Sequence, residues 1–302
     1  MFLQTRRGFL KSGAGTVVCG AAMLSGRRML GSPLGLPIGL QLYSVRELLP
    51  KDYEGTLRQV AAIGYREVEA AGFFGHSAKE VKQAMASAGL SCVSGHYPWG
   101  VLDKGLSQTI AFHKELGAEY IVCSSPGLKD PAPQTGGAHG HPKLTMDDWH
   151  WNAEQFNRAG ATVKAAGLKF GYHNHVAEFG ALDGTVPYDE LLRLTDASLV
   201  TFEMDCGWVT VGGGDPVSYL RRYPERISML HVKDFKRSET AGTPSTPPVA
   251  AELGRGTTDY KPIFDAAKKG QIKHYFVEQE GFDMPPFEAL KIDAEYMKNL
   301  SV

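Results

Sequence analysis

The sequence predicts an α/β protein that folds as a single (β/α)8 barrel, a TIM barrel. Short apolar segments alternate with segments of helical periodicity, and eight such strand–helix pairs follow one another within residues 37–302. Glycine recurs where a predicted helix gives way to the next strand, as a helix C-cap favours. The turn after the first strand, residues 43–47, has no glycine-rich phosphate loop of the kind that open doubly wound sheets carry. No linker interrupts the pattern, so one domain is expected.

The elements follow from the periodicity of the apolar residues and from the caps. The predicted strands are residues 37–43, 66–70, 90–94, 120–123, 170–175, 199–204, 227–232 and 275–277. The predicted helices are residues 53–63, 78–88, 106–116, 145–166, 188–194, 216–223, 260–269 and 285–300. Long loops follow strands four and seven, at residues 124–144 and 235–258. Because both loops follow a strand, they are expected to rise at the same end of the barrel and cover its mouth.

The composition and net charge indicate which broad class of protein this is. The chain has 302 residues, of which 43% are hydrophobic and 22% charged, and its formal net charge is −1. These values are ordinary for a globular protein with a large core. No basic patch marks a nucleic acid or an anionic membrane as a partner, so no nucleic-acid partner is expected. A homo-oligomer is compatible with the sequence and is not specified by it.

The N-terminus resembles a bacterial twin-arginine export signal. Thr5–Lys11 contains an adjacent arginine pair followed by Phe-Leu and Lys, and a weakly apolar run, Gly13–Leu24, comes next. A cytosolic N-terminal helix and a membrane anchor are the alternatives, but the run is short for a membrane span and rich in glycine and alanine. The resemblance implies that residues 1–32 are a signal peptide, that the Tat export machinery is a partner and that the mature protein is periplasmic.

Three cysteines remain beyond that segment, Cys92, Cys123 and Cys206, and all lie in or beside predicted strands. An odd number at such positions is typical of buried thiols and not of a disulfide framework.

Residues that bind metals or protons stand where the last four strands end. Strand five runs into His173-Asn174-His175 with Glu178 three residues further, and the next three strands end at Asp205, His231 and Glu278. The carboxyl ends of parallel barrel strands converge on one mouth. A lone buried carboxylate is costly there, so several together require a cation or protons between them. Mixed histidine and carboxylate ligands suit one divalent ion of Mn, Zn, Fe, Co or Mg.

Five segments carry a resemblance to a known family: Gly39–Arg46, Tyr172–Phe179, Met204–Trp208, Leu230–Asp234 and Val277–Glu280. Across residues 37–300 the sequence resembles the sugar phosphate isomerase/epimerase superfamily, the xylose-isomerase-like barrels. That superfamily includes ketose 3-epimerases, inosose dehydratases and enzymes that act on 3-keto-glycosides. The resemblance implies one metal site whose ligands in this sequence are Glu178, Asp205, His231 and Glu278.

The resemblance breaks at strand five. Epimerases of the superfamily carry the first glutamate at the tip of that strand, where this chain has His173 and His175. Either Glu178 folds back to the metal or one of the histidines replaces it. We favour Glu178 as the ligand, with His175 as an acid/base or substrate-binding group. Glu278 is preferred to Glu280 because it matches the family position.

The predicted chemistry is removal of a proton beside a sugar carbonyl. A divalent ion that binds adjacent sugar oxygens stabilises the charge that develops, and Glu178 and Glu278 are placed to accept or return the proton. Returning it to the opposite face is epimerisation, returning it to the adjacent carbon is isomerisation, and expelling a leaving group is elimination. The further residues expected to contact the substrate are Gln41, Glu69, His96, His173, Trp208 and Lys233.

The sequence therefore favours a metal-dependent isomerase or epimerase. Export argues for a non-phosphorylated sugar or keto-sugar. A lyase or hydrolase of 3-keto-glycosides and an inosose-type dehydratase are alternatives on the same site. An endonuclease-type barrel is disfavoured by the near-zero charge. A non-catalytic sugar-binding barrel is the alternative from another class. The segment Glu252–Gly256 is a weak candidate for a phosphate loop, and His139 and His141 are a weak candidate for a second metal site.

Overall fold

Eight strands of the described part of the chain form one closed sheet. The computed structural model describes residues 32–130, 143–236 and 248–302. In chain order the barrel strands are β1 (Gly39–Gln41), β2 (Glu67–Ala70), β3 (Ser91–Pro98), β4 (Tyr120–Ser125), β5 (Lys169–His173), β6 (Val200–Asp205), β7 (Ile227–Val232) and β10 (His274–Val277). All neighbouring pairs are parallel, and β1 closes the barrel on β10 through Gly39 opposite Phe276. The predicted (β/α)8 barrel is confirmed.

Helices follow the strands around the barrel. They are α1 (Tyr53–Ile63), α2 (Ala78–Ala88), α3 (Trp99–Leu116), α4 (Met146–Ala165), α5 (Pro187–Leu194), α6 (Cys206–Val211), α7 (Pro216–Arg222), α8 (Tyr260–Ala267) and α9 (Pro286–Asn299). Ser77 caps α2 and Thr145 caps α4, each in a reciprocal capping box with the acidic residue three positions on. No helix in the part of the chain that the structure describes is long and apolar enough to cross a membrane.

Several bounds and elements differ from the prediction. Strand β1 ends at Gln41 and β5 at His173, whereas the predicted ends were residues 43 and 175, and β3 continues to Pro98 beyond the predicted residue 94. Helix α3 begins at Trp99, whereas its predicted start was residue 106. The prediction missed the first turns because Gly105 (φ −138°) departs from helical dihedrals and interrupts the helical pattern. Helix α6 follows β6 directly and was not predicted, since its apolar residues show no periodicity that separates a buried helix from a strand. Within loop seven, β8 (Asp234–Phe235) pairs antiparallel with β9 (Ala250–Ala251).

The core has two parts. Inside the barrel, the apolar side chains packed below the mouth are Val93, Tyr120, Val122, Met229 and Phe276. A larger core lies between the sheet and the helices. Cys92, Cys123 and Cys206 are buried free thiols, as predicted. The twin-arginine segment, His139, His141 and the central parts of both long loops lie outside the described residues.

Candidate active site

Polar side chains form a buried layer inside the barrel, above its apolar interior. Successive side chains on a strand point to opposite faces, so residues two apart share a face. On β6 this brings both Glu203 and Asp205 into the barrel, where each is fully buried. The other buried or half-buried members of this layer are Gln41, Glu69, His96, His173, His231, Lys233 and Glu278.

His231 lies at the centre of this layer. Its Nε2 is 2.7 Å from Glu69 Oε2, and its Nδ1 is 3.0 Å from Glu278 Oε2. Burial alone would lower the pKa of His231, but the surrounding carboxylates, Glu203 first, raise that pKa well above its usual value. Burial likewise opposes ionisation of Glu69 and Glu278, and their positively charged neighbours lower both pKa values despite it.

Glu203 joins His231 to two more histidines. Its Oε2 is 2.6 Å from His96 Nε2, 3.1 Å from His173 Nδ1 and 3.3 Å from His231 Nε2. Its other oxygen, Oε1, has no hydrogen-bond partner among the described residues. Burial, followed by repulsion from Glu69, raises the pKa of Glu203 to about 7. An unpartnered buried carboxylate oxygen is costly, so this atom is available to a ligand.

Asp205 is held in place from three sides. Asn174 accepts a hydrogen bond from Asp205 N (3.0 Å) and donates one to Asp205 O (3.3 Å), so the residue directly after β5 fixes the end of β6. Asp205 Oδ1 accepts from Trp208 N (2.8 Å) and caps α6. Its Oδ2 accepts no hydrogen bond of good geometry and faces Lys233 Nζ at 3.1 Å. Burial raises the pKa of Asp205.

Lys233 is the lysine of the layer. Its Nζ lies 2.7 Å from Glu278 Oε2 and 2.6 Å from Glu280 Oε1. Burial would lower the pKa of Lys233, but these carboxylates and Asp205 raise it, so the ammonium stays charged. Tyr260 OH accepts from the backbone N–H of Lys233 (2.8 Å) and donates to its carbonyl (2.6 Å). The position of Lys233 is therefore fixed by both its side chain and its backbone.

Two groups of side chains bring metal-ligating atoms within 4.8 Å of one another. The first comprises His96, His173, Glu203 and His231, and the second comprises Asp205, His231 and Glu278. Three of the four predicted ligands thus lie together in the second group. Glu203 was not among the predicted ligands. Its signal in the sequence was its spacing of two from Asp205, which puts both carboxylates on one face of β6.

Glu178 is not brought to either group. It lies in a short 3-10 helix, Ala177–Phe179, where its Oε1 accepts from Tyr172 OH (2.6 Å) and from His175 N (3.0 Å). The Tyr172 ring stacks on Phe156 of α4, with ring centroids 4.9 Å apart, so Tyr172 faces the helices and not the barrel interior. In this position Glu178 holds the turn after β5. His173, at the tip of the strand, belongs to the first group of potential ligands, and Glu178 belongs to neither.

The layer opens to solvent through a cavity of about 340 Å³ at the mouth of the barrel. Of the predicted catalytic and substrate-binding residues, the cavity is lined by His96, His173, His175, Trp208 and Glu278. Gln41 and Glu69 are fully buried, and Gln41 donates from Nε2 to Glu69 Oε2 (2.8 Å) and accepts from Tyr43 N (3.0 Å). Gln41 is therefore placed to orient Glu69.

The weak phosphate-loop candidate surrounds a carboxylate of its own chain. Asp234 accepts backbone N–H bonds from Phe235, Thr257 and Thr258 at Oδ1 (2.9 Å each). Its Oδ2 accepts from Gly254 N (3.2 Å) and Gly256 N (3.0 Å). Backbone N–H groups arranged in this way bind an anion, and here the anion is the Asp234 side chain.

A closed parallel barrel with histidines and carboxylates at the carboxyl ends of its strands defines a class, the TIM-barrel proteins whose mouth can hold a metal ion. A family model for the xylose isomerase-like TIM barrel matches residues 57–300. The chain belongs to that family and is an enzyme of the xylose isomerase-like superfamily.

Individual relatives agree with this assignment. An inosose dehydratase of Clostridium perfringens is 25% identical over 272 residues, which span 82% of this chain and 89% of the relative. An inosose dehydratase of Geobacillus thermodenitrificans is 26% identical over 266 residues, 79% of this chain and 87% of the relative. A sugar phosphate isomerase/epimerase structure from Parabacteroides distasonis is 30% identical, with a TM-score of 0.68 over 86% of this chain and 96% of that one. The IOLI protein, solved with a zinc atom, shares the fold at 13% identity, with a TM-score of 0.67 over 87% of this chain and 98% of that one.

Proposed function

We propose that the chain is a divalent-metal-dependent enzyme that removes a proton from the carbon beside the carbonyl group of a sugar or keto-sugar. The single observation that carries the proposal is the buried layer of histidines and carboxylates that meets the mouth cavity. Among the described residues, Glu203 Oε1 accepts no hydrogen bond, and Asp205 Oδ2 accepts none of good geometry but is paired with Lys233 Nζ at 3.1 Å. Buried carboxylate oxygens beside histidines that accept no hydrogen bond are what a metal ion requires of its site.

The donor set fits one ion. Burial, followed by repulsion from the neighbouring charged groups, lowers the pKa of His173, so its imidazole is neutral, as a metal ligand must be. The neighbouring carboxylates raise the pKa of His231, so an ion bound there would displace the proton from its ring. We assign Asp205, His173 and His231 as the residues that would hold the ion, because Asp205 Oδ2 lies 3.9 Å from His173 Nε2 and 3.8 Å from His231 Nδ1. Glu278 lies beside them, and Glu203 contacts the other ring nitrogen of each histidine. When bound, a divalent ion would polarise the substrate carbonyl and stabilise the negative charge that develops as the neighbouring C–H loses its proton.

Two groups at the mouth are placed to move the proton. Glu278 lines the cavity as an ionised carboxylate, which is the form that can accept a proton from the substrate, and the neighbouring Lys233 and His231 that keep it ionised also lower its basicity. The His175 ring lines the same cavity, with its centroid 4.9 Å from that of His173, and can return a proton or give one to a leaving group. Lys233 keeps Glu278 in position through the 2.7 Å ion pair.

The lining of the mouth supports a non-phosphorylated substrate. Among the described residues that line this cavity there is no lysine or arginine, and two are glutamates. Phosphate groups are bound by arginine, lysine or helix N-termini. Neutral hydroxyl groups suit the histidines and Ser124 and Ser125.

The outcome of proton removal has two candidates. Isomerisation or epimerisation returns the proton to the substrate. Elimination expels a group from the next carbon instead, and the similarity to inosose dehydratases favours it equally. Both begin with the same loss of a proton.

An NMR screen in D₂O tests the proposal. Metal-loaded protein is incubated with free hexoses, keto-sugars and inososes, and spectra are recorded over time. For isomerisation or epimerisation, the expected result is deuterium at the carbon beside a carbonyl, with signals of the isomer or epimer. For elimination, the carbon that loses the proton enters the new double bond, so the expected result is a new vinylic signal. Either change must fall after EDTA treatment and in Glu278→Gln, whereas the matched control Glu288→Gln, on α9, must retain it. The absence of both metal-dependent exchange and a metal-dependent elimination product with all of these compounds would refute the proposal.

We also propose that residues 1–32 direct export through the twin-arginine pathway to the periplasm. The arginine pair, Arg6 and Arg7, motivates this proposal. Replacing both by lysine should move the protein from the periplasmic to the cytoplasmic fraction. An unchanged distribution would rule out this route.

A further inference from the structure

A second cavity adjoins the mouth. Its volume is about 310 Å³, and its aromatic walls are Trp208, Phe235 and Phe282. Trp208 and Glu280 line both this cavity and the mouth cavity. We call the second cavity the aromatic cavity. Because the two cavities share a border, a molecule whose reacting part lies at the mouth can extend into the aromatic cavity.

Ordered elements hold the walls of this cavity. Phe235 lies in β8, opposite Ala250 of β9, and Lys236 N donates to Val249 O at 2.8 Å beyond that pair. The ring centroids of Trp208 and Phe235 are 5.0 Å apart at an interplanar angle of 48°, and Lys233 Nζ lies 5.1 Å from the centroid of the Trp208 ring. The strand pair and the packed rings therefore preform the cavity, which reduces the entropy cost of ordering a ligand in it.

The chemistry of the lining selects a neutral, partly apolar group. Among the described residues that line the aromatic cavity, two are charged, and both are acidic. Glu280 is paired with Lys233, and Asp283 is paired with Lys236. Among the described residues that line this cavity there is therefore no cation for a phosphate or carboxylate. The other lining residues include Pro248 and Val249, and the side chain of Val249 is 53% exposed. Aromatic walls with an acidic rim suit a ring with one apolar face, such as a second sugar ring or an arene.

Size points to the same class of ligand. Cavities that hold small molecules span about 300–1,000 Å³. Each of these cavities is at the lower end of that range, which suits one ring each. A substrate of a single sugar ring would leave the aromatic cavity without a ligand.

We propose that the substrate is a glycoside-type molecule, with a hydroxylated sugar ring at the mouth and a neutral ring substituent in the aromatic cavity. The proposal rests on the proposed function only for the placement of the first ring. The second ring is assigned by the aromatic cavity itself.

Paired probes test this assignment. Methyl and 4-nitrophenyl glucopyranosides, in both anomeric forms, share the sugar ring and differ in the substituent. Their affinities for the metal-loaded protein are measured by titration calorimetry. For one anomer, the 4-nitrophenyl compound should bind roughly tenfold more tightly than the methyl compound, because an additional ring is buried.

Three variants locate the effect. Phe282→Ala removes one aromatic wall, and Ala250→Leu fills the cavity from the opposite side. Each should reduce the tenfold preference to about twofold or less while leaving the affinity for the methyl glycoside unchanged, which also shows that the mouth is intact. Val101→Ala, at an exposed position of α3 outside both cavities, should keep the full preference.

The outcomes separate this inference from the proposed function. Equal binding of the methyl and 4-nitrophenyl compounds would overturn the inference, and so would a preference that persists in both cavity variants. If neither glycoside binds while a free keto-sugar exchanges deuterium, the inference fails and the proposed function stands. If no sugar exchanges deuterium but Phe282→Ala abolishes the 4-nitrophenyl preference, the proposed function fails and the aromatic cavity remains assigned.

Discussion

The substitution Asp234→Asn should destabilise the protein far more than its small change in shape suggests. Asp234 is 1% exposed, and its two oxygens accept five backbone N–H bonds. An asparagine can place its one oxygen where Oδ1 stands and keep three of these bonds. Its NH₂ group then faces the N–H groups of Gly254 and Gly256, which lose their acceptor.

The magnitude follows from those two donors. Leaving a buried donor without a partner costs about 1–3 kcal/mol. Gly254 is exposed and Gly256 half-buried, so water can replace part of the lost acceptor, and we expect the free energy of unfolding to fall by roughly 1–3 kcal/mol in total. Urea unfolding followed by tryptophan fluorescence measures this loss as a lower midpoint at unchanged slope. The matched control is Asp215→Asn, at the exposed N-cap of α7, where Asp215 accepts one bond from Val217 N (3.0 Å). Because Asn caps helices as well as Asp, this control should change stability by less than about 0.5 kcal/mol.

The account of this loop fails if Asp234→Asn costs no more than the control. The prediction also bears on the site, because Asp234 follows Lys233 directly and the loop it anchors supports the end of β7. We therefore expect Asp234→Asn to weaken metal binding as well as folding, and metal binding should recover in part where stabilising osmolytes restore the fold.

Three further predictions concern charge and metal. Burial, followed by repulsion from nearby carboxylates, raises the pKa of Asp293 from 3.8 to about 7, so its contribution to stability is present below pH 3.8 and is lost as pH rises through 7. Between pH 5 and 7.5 the free energy of unfolding of wild type should therefore fall by roughly 2–3 kcal/mol relative to that of Asp293→Asn. Parallel curves of unfolding free energy against pH for the two proteins would contradict this. Lys233→Met leaves three carboxylates without their cation and should cost about 3–5 kcal/mol in metal-free protein, and a smaller cost in metal-loaded protein, by urea unfolding. At a metal concentration a hundred times the Kd of wild type, the metal should stabilise wild type by about 2.7 kcal/mol in calorimetry. At the same concentration it should stabilise Glu203→Gln by markedly less, and an equal gain in both proteins would exclude Glu203 from the site.

Much of the fold was predictable because it depends on local chemistry. The capping boxes at Ser77 and Thr145 are set by residues three apart, and the barrel strands are apolar runs between helices. The elements that were missed lack such local signals. The β8–β9 hairpin joins residues on either side of a long loop, and its pairing depends on distant parts of the chain meeting.

The candidate site could be predicted where the alternation of side chains along a strand fixes the direction of a residue. It could not be predicted where that direction depends on the conformation of a turn. Asp205, His231 and Glu278 extend strands whose direction is fixed, so their convergence follows from the barrel. Glu178 lies beyond the end of β5, and its direction depends on a hydrogen bond to Tyr172 on the helix-facing side of that strand. No pattern in the sequence predicts the direction of the Glu178 side chain. Glu203 was overlooked although its spacing from Asp205 carried the signal.

The central claim is that the mouth of the barrel holds one divalent ion on the buried histidines and carboxylates. Elemental analysis after equilibration with micromolar Mn²⁺ or Zn²⁺ and removal of free metal tests it most directly. The claim predicts about one ion per chain in wild type, well below one in Asp205→Asn and His231→Gln, and wild-type content in the control Glu288→Gln. Folding of each variant is checked by circular dichroism. Wild-type protein without bound metal, or folded Asp205→Asn and His231→Gln variants that keep the full content, would contradict the claim.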